Sequence, residues 1–212
     1  APLDNAGEHA RMGAERIAAA ERDGEAAAAL FDTYREKGWG DAQDCAELAL
    51  ACRLLSAAAS RQVQPLELRF TRAGKPYVPG QPQFSIAHTG DWVLCALAAD
   101  GLVGIDAEGC EHGAHWPQWR LAFDAEERAA ARASSTALAI WAAKEAAIKA
   151  AGATLAELAQ VRVRGHRVSF RGRRWYCRTP RIAPRLIVRL VTARPVTQLV
   201  LRAVPAAAAL AT

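Results

Sequence analysis

Two acidic residues, Asp106 and Glu108, stand two positions apart in the segment Gly-Ile-Asp-Ala-Glu. The apolar residues Leu102 and Val103 precede this segment and Ile105 lies within it, which is typical of a β-strand. Side chains alternate between the two faces of a strand, so both carboxylates should leave the same face. The sequence therefore predicts two negative charges side by side on one strand.

A third carboxylate, Glu145, lies on a predicted helix that covers residues 138–151, with the sequence LAIWAAKEAAIKAA. Glu145 falls on the stripe of large apolar residues that includes Trp141, four residues earlier. An unpaired charge buried there would be strongly unfavourable. Two partners could stabilise it: Lys149, one turn further along the helix, or a metal ion.

Three carboxylates without cysteine or histidine form a hard oxygen donor set, which suits Mg²⁺ and, with it, a phosphate-bearing substrate. The alternative is that the two strand acids are solvated and that the Lys-Glu pair lies on a helix surface, since short motifs also occur without function. Phosphate chemistry is the hypothesis that these residues favour.

The two segments together, GIDAE and WAAKEAAIK, resemble the paired motif of the 4'-phosphopantetheinyl transferases, Gly-Ile/Val-Asp-x-Glu followed by Trp-x-x-Lys-Glu-x-x-x-Lys. Two earlier segments, Gly74-Lys75-Pro76 and FSIAHTG at residues 84–90, resemble the GKP and F-N-x-S-H-S segments of the larger, surfactin-synthetase-associated branch. The four motifs stand in the order found in that family. The resemblance is clear over residues 60–152, weaker after them and essentially absent in the first 40.

This resemblance implies an α+β fold made of two similar α+β halves related by a pseudo-twofold axis, with the active site between them. The halves would cover residues 1–98 and 99–212. A chain of 212 residues has room for both halves, so a monomer is expected, in contrast to the short trimeric branch.

The activity implied is the Mg²⁺-dependent transfer of the phosphopantetheine arm of coenzyme A to a serine of an apo acyl or peptidyl carrier protein, with release of 3',5'-ADP. Such carriers serve fatty acid, polyketide or nonribosomal peptide synthesis. By resemblance, Asp106, Glu108 and Glu145 hold Mg²⁺ against the pyrophosphate. Asp106 also contacts coenzyme A, and Lys149 complements a phosphate.

The resemblance also assigns coenzyme A contacts to Lys75, Pro76, His88 and Thr89, with Lys75 and His88 at the far end of the cofactor. Ala87 stands where the family usually has a hydroxyl, so one hydrogen bond to the cofactor is expected to be missing.

Two candidates for the general base follow from the same resemblance. One is Glu145, and the other is a metal-bound water aligned by Glu127. Glu127 matches the last acid of the family's F-S-x-x-E segment, with Glu126 as a one-residue alternative.

Charge is distributed unevenly along the chain. Twelve arginines and no acidic residue follow Glu157, whereas fifteen basic and twenty-two acidic residues occur up to that point. The basic part could dock an acidic carrier protein, or its arginines could simply cover the solvent face of a sheet. Two other functions stay open: a basic nucleic-acid-binding module, and a coenzyme A binder without catalysis.

The composition, 51% hydrophobic and 23% charged, is that of a globular protein. No apolar run reaches the roughly 18 residues of a membrane span, and no signal peptide is apparent. The five cysteines are odd in number and lack CxxC spacing, which argues against disulfides or zinc and favours a reducing cytoplasm.

Local patterns predict the remaining elements. A helix is expected from residue 44 to 60, and a hairpin from strands 84–88 and 92–98. Asp124 should cap one helix, and Ser134 or Ser135 should cap the next. Short antiparallel strands are expected near the C-terminus, at 161–163, 167–170, 175–177, 186–191 and 198–204.

Overall fold

The structure is a computed structural model that describes residues 51–56, 61–63, 67–90, 92–110, 119 and 121–201. The chain divides into two compact units, one of residues 1–68 with 202–212 and one of residues 69–201. In the first unit residues 51–56 are helical, as predicted, and Cys52 is buried. The rest of the predicted helix from 44 to 60, including Cys45, lies outside the described residues.

The second unit mixes short strands with helices. Along the chain its described elements are β1 Arg69–Phe70, β2 Pro76–Tyr77, β3 Gln83–Thr89, β4 Trp92–Ala98, β5 Val103–Gly109, α1 Ala125–Ala130, α2 Ser134–Ala151, a 3₁₀ helix Leu155–Gln160, β6 Arg162–Arg164, β7 Arg167–Phe170, β8 Arg173–Arg178 and β9 Leu186–Thr192. This mixture is compatible with the predicted α+β class. The two similar halves, 1–98 and 99–212, stay a prediction.

The strands form two small antiparallel pairs, β1 with β2 and β3 with β4, and a five-stranded antiparallel sheet in the order β5-β9-β8-β7-β6. The predicted hairpin is confirmed, and so are four of the five predicted C-terminal strands. The fifth is wrong for residues 198–201, which are irregular, while 202–204 lie outside the described residues.

Helix α2 packs on the inner face of the five-stranded sheet and contributes eight buried residues to the main apolar cluster. Most of the alanines of α2 are buried. Most of them belong to one apolar cluster with Trp175 and Val191 of the sheet. Small side chains let a helix approach a sheet closely. Gly152 caps the C-terminal end of the helix and adopts a left-handed conformation with φ of 60°, as residues at this position often do.

The other face of the sheet is covered only in part. Hairpin β3–β4 packs Ala87 and Leu94 against the outer side chains of β5 and β9, which are Val103, Ile105, Ala107, Val188 and Leu190. The outer face of β6, β7 and β8 carries exposed arginines instead. Within the described residues, no helix is long and apolar enough to cross a membrane.

The starts of the two α-helices differ from each other. Asp124 caps α1 as predicted, because its side chain accepts the backbone N–H of Glu127 and the Glu127 side chain accepts the backbone N–H of Asp124. The prediction for α2 was wrong. This helix begins at Ser134, and Ala133 occupies the cap position without a side-chain bond.

Candidate active site

Gly104 allows the strand that carries the acids to lie directly against helix α2. A Cβ atom at this position would lie 1.9 Å from the carbonyl oxygen of Ala146 and 2.5 Å from the nitrogen of Ala150. Alternate residues of a strand share a face, so Asp106 and Glu108 face the helix together with Gly104. The absence of a side chain at position 104 thus brings both carboxylates to α2.

Asp106 forms an ion pair with Lys149 across this contact. Lys149 Nζ lies 2.7 Å from Asp106 Oδ1, and the two side chains are 32% and 7% exposed. Burial raises the pKa of Asp106, while the Lys149 ammonium and the backbone N–H of Ala107 oppose that shift. With the carboxyls ionised, Asp106 Oδ2 is buried and accepts no hydrogen bond from the described residues.

Glu145 and Glu108 complete the acidic cluster. Burial raises the pKa of Glu145 to about 7, and the negative charge of Asp106 adds to the shift. The Lys149 charge and a hydrogen bond with the Trp141 side chain oppose it. Burial likewise raises the pKa of Glu108 to about 7, and the negative charges of Asp106 and Glu145 add to this increase. The cluster therefore repels its own negative charge and favours a bound proton or cation.

The structure places His88 close to these carboxylates. His88 lies on β3, next to the turn of the hairpin, and its imidazolium form would lower the pKa of both Asp106 and Glu108. Lys75 forms a hydrogen bond with the first residue of β5, in which its Nζ donates to the carbonyl oxygen of Val103 at 3.0 Å. Burial lowers the pKa of Lys75 to about 8.

Ala87, Thr89 and Pro76 occupy different surroundings. Ala87 is buried against β5, so a hydroxyl at position 87 would face that strand. Thr89 Oγ1 accepts the backbone N–H of Gly109 at 3.1 Å. Pro76 lies in β2, opposite Phe70.

Glu127 is engaged inside the fold rather than with the acidic cluster. Its Oε2 lies 2.8 Å from Lys144 Nζ, and its Oε1 accepts the backbone N–H of Val163 at 2.7 Å. Lys144 also donates to the carbonyl oxygens of Leu158 and Val161. These contacts join α1, α2 and the start of β6. The motif lysine immediately before Glu145 was the signal for Lys144, but its partner could not be read from the sequence.

The donor chemistry of the acidic cluster fits Mg²⁺. Asp106, Glu108 and Glu145 supply only carboxylate oxygens, which this ion prefers, and no donor among the described residues reaches the buried Asp106 Oδ2. Within the described residues, no group of three acidic, histidine or cysteine side chains is drawn together as a preformed metal site. Lys149 supplies the cation at Oδ1 instead.

This segment also matches a known family. Residues 102–200 match the model of the 4'-phosphopantetheinyl transferase superfamily. The matched segment contains the acidic cluster, Lys149, and the buried pair of Glu127 and Lys144. Lys75 and His88 precede it. No curated protein sequence matches the chain.

The superfamily match supports phosphopantetheine transfer in general. It covers strand β5, helix α2 and the rest of the five-stranded sheet, which are the elements that assemble the acidic cluster. The matched segment therefore contains the carboxylates that the motif resemblance singles out.

Proposed function

We propose that this protein transfers the 4'-phosphopantetheine arm of coenzyme A to a serine of an apo acyl or peptidyl carrier protein, releasing 3',5'-ADP. We assign it to the larger branch of the superfamily, with two halves in one chain. The observation that carries the proposal is the buried Asp106, which faces Lys149 beside Glu108 and Glu145. All four residues lie in the segment that matches the superfamily.

Asp106, Glu108 and Glu145 would hold Mg²⁺, which when bound neutralises charge on the diphosphate of coenzyme A. Lys149 is partly exposed and sits on Asp106, so its remaining N–H groups can donate to a phosphate oxygen next to that carboxylate. Charge-assisted bonds of this kind orient the diphosphate for attack.

In the reaction, the serine oxygen of the carrier forms a bond to the phosphorus that bears the pantetheine arm. The bond from that phosphorus to the bridging oxygen breaks, and its electron pair leaves with 3',5'-ADP. The serine proton passes to Glu145, which is the first candidate for the general base because its carboxylate lies in the cluster with Asp106. Glu127 is the weaker candidate, because Lys144 and two backbone N–H groups already occupy its oxygens.

Lys75, Pro76, His88 and Thr89 are proposed to contact coenzyme A. The Lys75 ammonium is held by a carbonyl oxygen, and an anion would stabilise its charged form. Thr89 Oγ1 accepts a bond from Gly109, which leaves its hydroxyl proton available for a phosphate oxygen.

The basic C-terminal part is proposed to attract the acidic carrier. Several of its arginines are paired within the fold, as Arg164 is with Asp124 and Glu126. Arg167 and Arg174 on the exposed face of β7 and β8 make no ion pair within the part of the chain that the structure describes. Attraction of this kind predicts an apparent KM for the carrier that rises with salt concentration.

The test is mass spectrometry of an apo carrier protein after incubation with this protein, coenzyme A and Mg²⁺. A gain of one phosphopantetheine group that requires Mg²⁺, and that disappears in Asp106→Ala and Glu145→Gln but not in the control Glu157→Gln, would support the proposal. Binding of coenzyme A without transfer to several carriers would identify a non-catalytic binder. Salt-dependent DNA binding with no affinity for coenzyme A would identify a nucleic-acid-binding module.

A further inference from the structure

Strand β5 lies at an edge of the five-stranded sheet, and half of its backbone groups point away from that sheet. Just beyond its ends, Ala193 N donates to Leu102 O at 3.1 Å and Cys110 N donates to Arg185 O at 2.8 Å. In the register with β9, the even-numbered residues are therefore the hydrogen-bonded ones. The N–H and C=O groups of residues 103, 105, 107 and 109 point off the edge.

Side chains of the neighbouring hairpin meet these outward groups where another strand would normally pair. Ser85 Oγ accepts the N–H of Ile105 at 3.1 Å, and Thr89 Oγ1 accepts the N–H of Gly109 at 3.1 Å. Ser85 is 2% exposed, so its contact with Ile105 is closed to water. Buried N–H groups are costly to leave without an acceptor, so both contacts stabilise the edge.

The spacing of these contacts places β3 and β5 side by side in a fixed register. Ser85 and Thr89 are four residues apart, as are Ile105 and Gly109, so position 87 falls opposite Ala107. Ala87 and Ala107 are both buried in the cluster between the hairpin and the sheet. Of the three positions 85, 87 and 89, the first and last supply a hydroxyl contact to β5. Ala87, between them, supplies none.

We propose that Ser85 and Thr89 are positioning residues for the reaction, because their hydroxyls fix the strand that carries Asp106 and Glu108 against the strand that carries His88. This inference rests on the proposed function. The carboxylates lie between the two contacts along β5, and His88 immediately precedes Thr89. The hydroxyls therefore set the distance between the carboxylates that would hold the metal and the segment that would hold coenzyme A.

The first variant is Ser85→Ala, with Ser169→Ala as its matched control, because Ser169 is an exposed serine on β7. Residue-resolved amide exchange reports the contact, and calorimetric titration with Mg²⁺ alone reports the positioning. For Ser85→Ala we expect the Ile105 amide to exchange at least about tenfold faster. Mg²⁺ affinity should fall by about tenfold, the lower end of the usual effect of residues that orient metal ligands. Ser169→Ala should change neither.

A second variant keeps the inference testable if Ser85→Ala does not fold. Thr89→Val removes the second hydroxyl at nearly constant shape, and it should speed exchange at Gly109 and weaken Mg²⁺ binding in the same way.

Unchanged Mg²⁺ affinity in a folded Ser85→Ala or Thr89→Val protein would overturn the positioning role, even if amide exchange accelerates. If amide exchange at Ile105 in Ser85→Ala and at Gly109 in Thr89→Val is unchanged, the two hydroxyl contacts do not exist in solution. If the wild-type protein neither binds Mg²⁺ nor transfers phosphopantetheine, the proposed function fails, and the positioning role fails with it. The exchange data would then still report how β5 is held.

Discussion

Lys144 Nζ lies 2.8 Å from Glu127 Oε2, and neither side chain has any exposed surface. The remaining hydrogen-bonding groups of the pair are also satisfied, by the backbone of residues 124, 158, 161 and 163. Lys144 immediately precedes Glu145 on α2, so the pair fixes the rotation of the helix at the acidic cluster.

Loss of one partner of this pair should destabilise the fold. We expect Glu127→Gln to lower the free energy of unfolding by about 3–5 kcal/mol, because it leaves the Lys144 charge buried without its counter-ion. Joint replacement, Glu127→Leu with Lys144→Met, should recover most of that loss. Urea unfolding measures both, and the exposed neighbour Glu126→Gln should stay within about 0.5 kcal/mol of the wild type. A Glu127→Gln protein of normal stability without transfer activity would instead give Glu127 a catalytic role.

Replacement of Glu108 or Glu145 should stabilise the metal-free protein at alkaline pH. Burial raises the pKa of both groups to about 7, so the folded chain retains protons that the unfolded chain loses above about pH 4.5. Stability must then fall as the pH rises through that window. At about pH 8, Glu108→Gln and Glu145→Gln should each raise the free energy of unfolding by about 1–3 kcal/mol while abolishing transfer. Near pH 4.5 the effect should be small.

Urea unfolding at both pH values, in the presence of a chelator, tests this expectation. Glu157→Gln is the control of opposite sign, because hydrogen bonding to Arg171 lowers the pKa of Glu157. If Glu108→Gln destabilises the protein at pH 8, the ionised Glu108 carboxylate is stabilised by its neighbours in the fold. That result would contradict the prediction.

Coenzyme A affinity should fall as the pH rises above 8. Burial lowers the pKa of Lys75 to about 8, and only the protonated form can pair with a phosphate. Lys75→Arg keeps its charge throughout and should make affinity nearly constant between pH 7 and 9. Lys75→Met should weaken binding at pH 7 by about tenfold, the scale of one charge-assisted hydrogen bond. Calorimetric titration with coenzyme A measures these affinities, and Arg72→Gln is the control for loss of a nearby charge. If the affinity of the wild-type protein does not change with pH, Lys75 does not bind a phosphate.

A side chain at position 104 should separate β5 from α2. The added carbon of Gly104→Ala would lie 1.9 Å from a helix carbonyl oxygen, and relief of that overlap must move one backbone against the other. We expect a loss of about 3 kcal/mol or more, at the upper end of overpacking effects. Gly165→Ala is the comparison, because no atom lies within 4 Å there and only its positive φ is strained. Thermal unfolding of both variants should give the larger loss at Gly104.

Local patterns in the sequence predicted the elements that carry the acidic cluster. Alternation around Ile105 predicted β5, and helical spacing predicted α2. Both patterns follow from how side chains leave a single element. The start of α2 was missed by one or two residues, because a serine near a helix start can occupy the first turn as well as the cap.

The features that the sequence could not predict are contacts between elements. Residues 198–201 include an apolar run typical of a strand, but a strand also needs a hydrogen-bonding neighbour, which an apolar run does not provide. The burial of Lys144 depends on Glu127, seventeen positions earlier, and the direction of Ala87 depends on β5. These relationships arise only when the chain has folded, so a local pattern could not supply them.

The hydroxyl contacts along β5 also bear on how the protein behaves at high concentration. An unpaired sheet edge is a template onto which a strand of another molecule can add, the first step toward aggregation. At β5 the Ser85, Thr89 and Lys75 side chains occupy outward backbone groups, which closes much of that edge to a foreign strand. The opposite edge, β6, is only three residues long and has arginine at both ends. The contacts that hold the carboxylate strand in place therefore also protect the sheet from self-association.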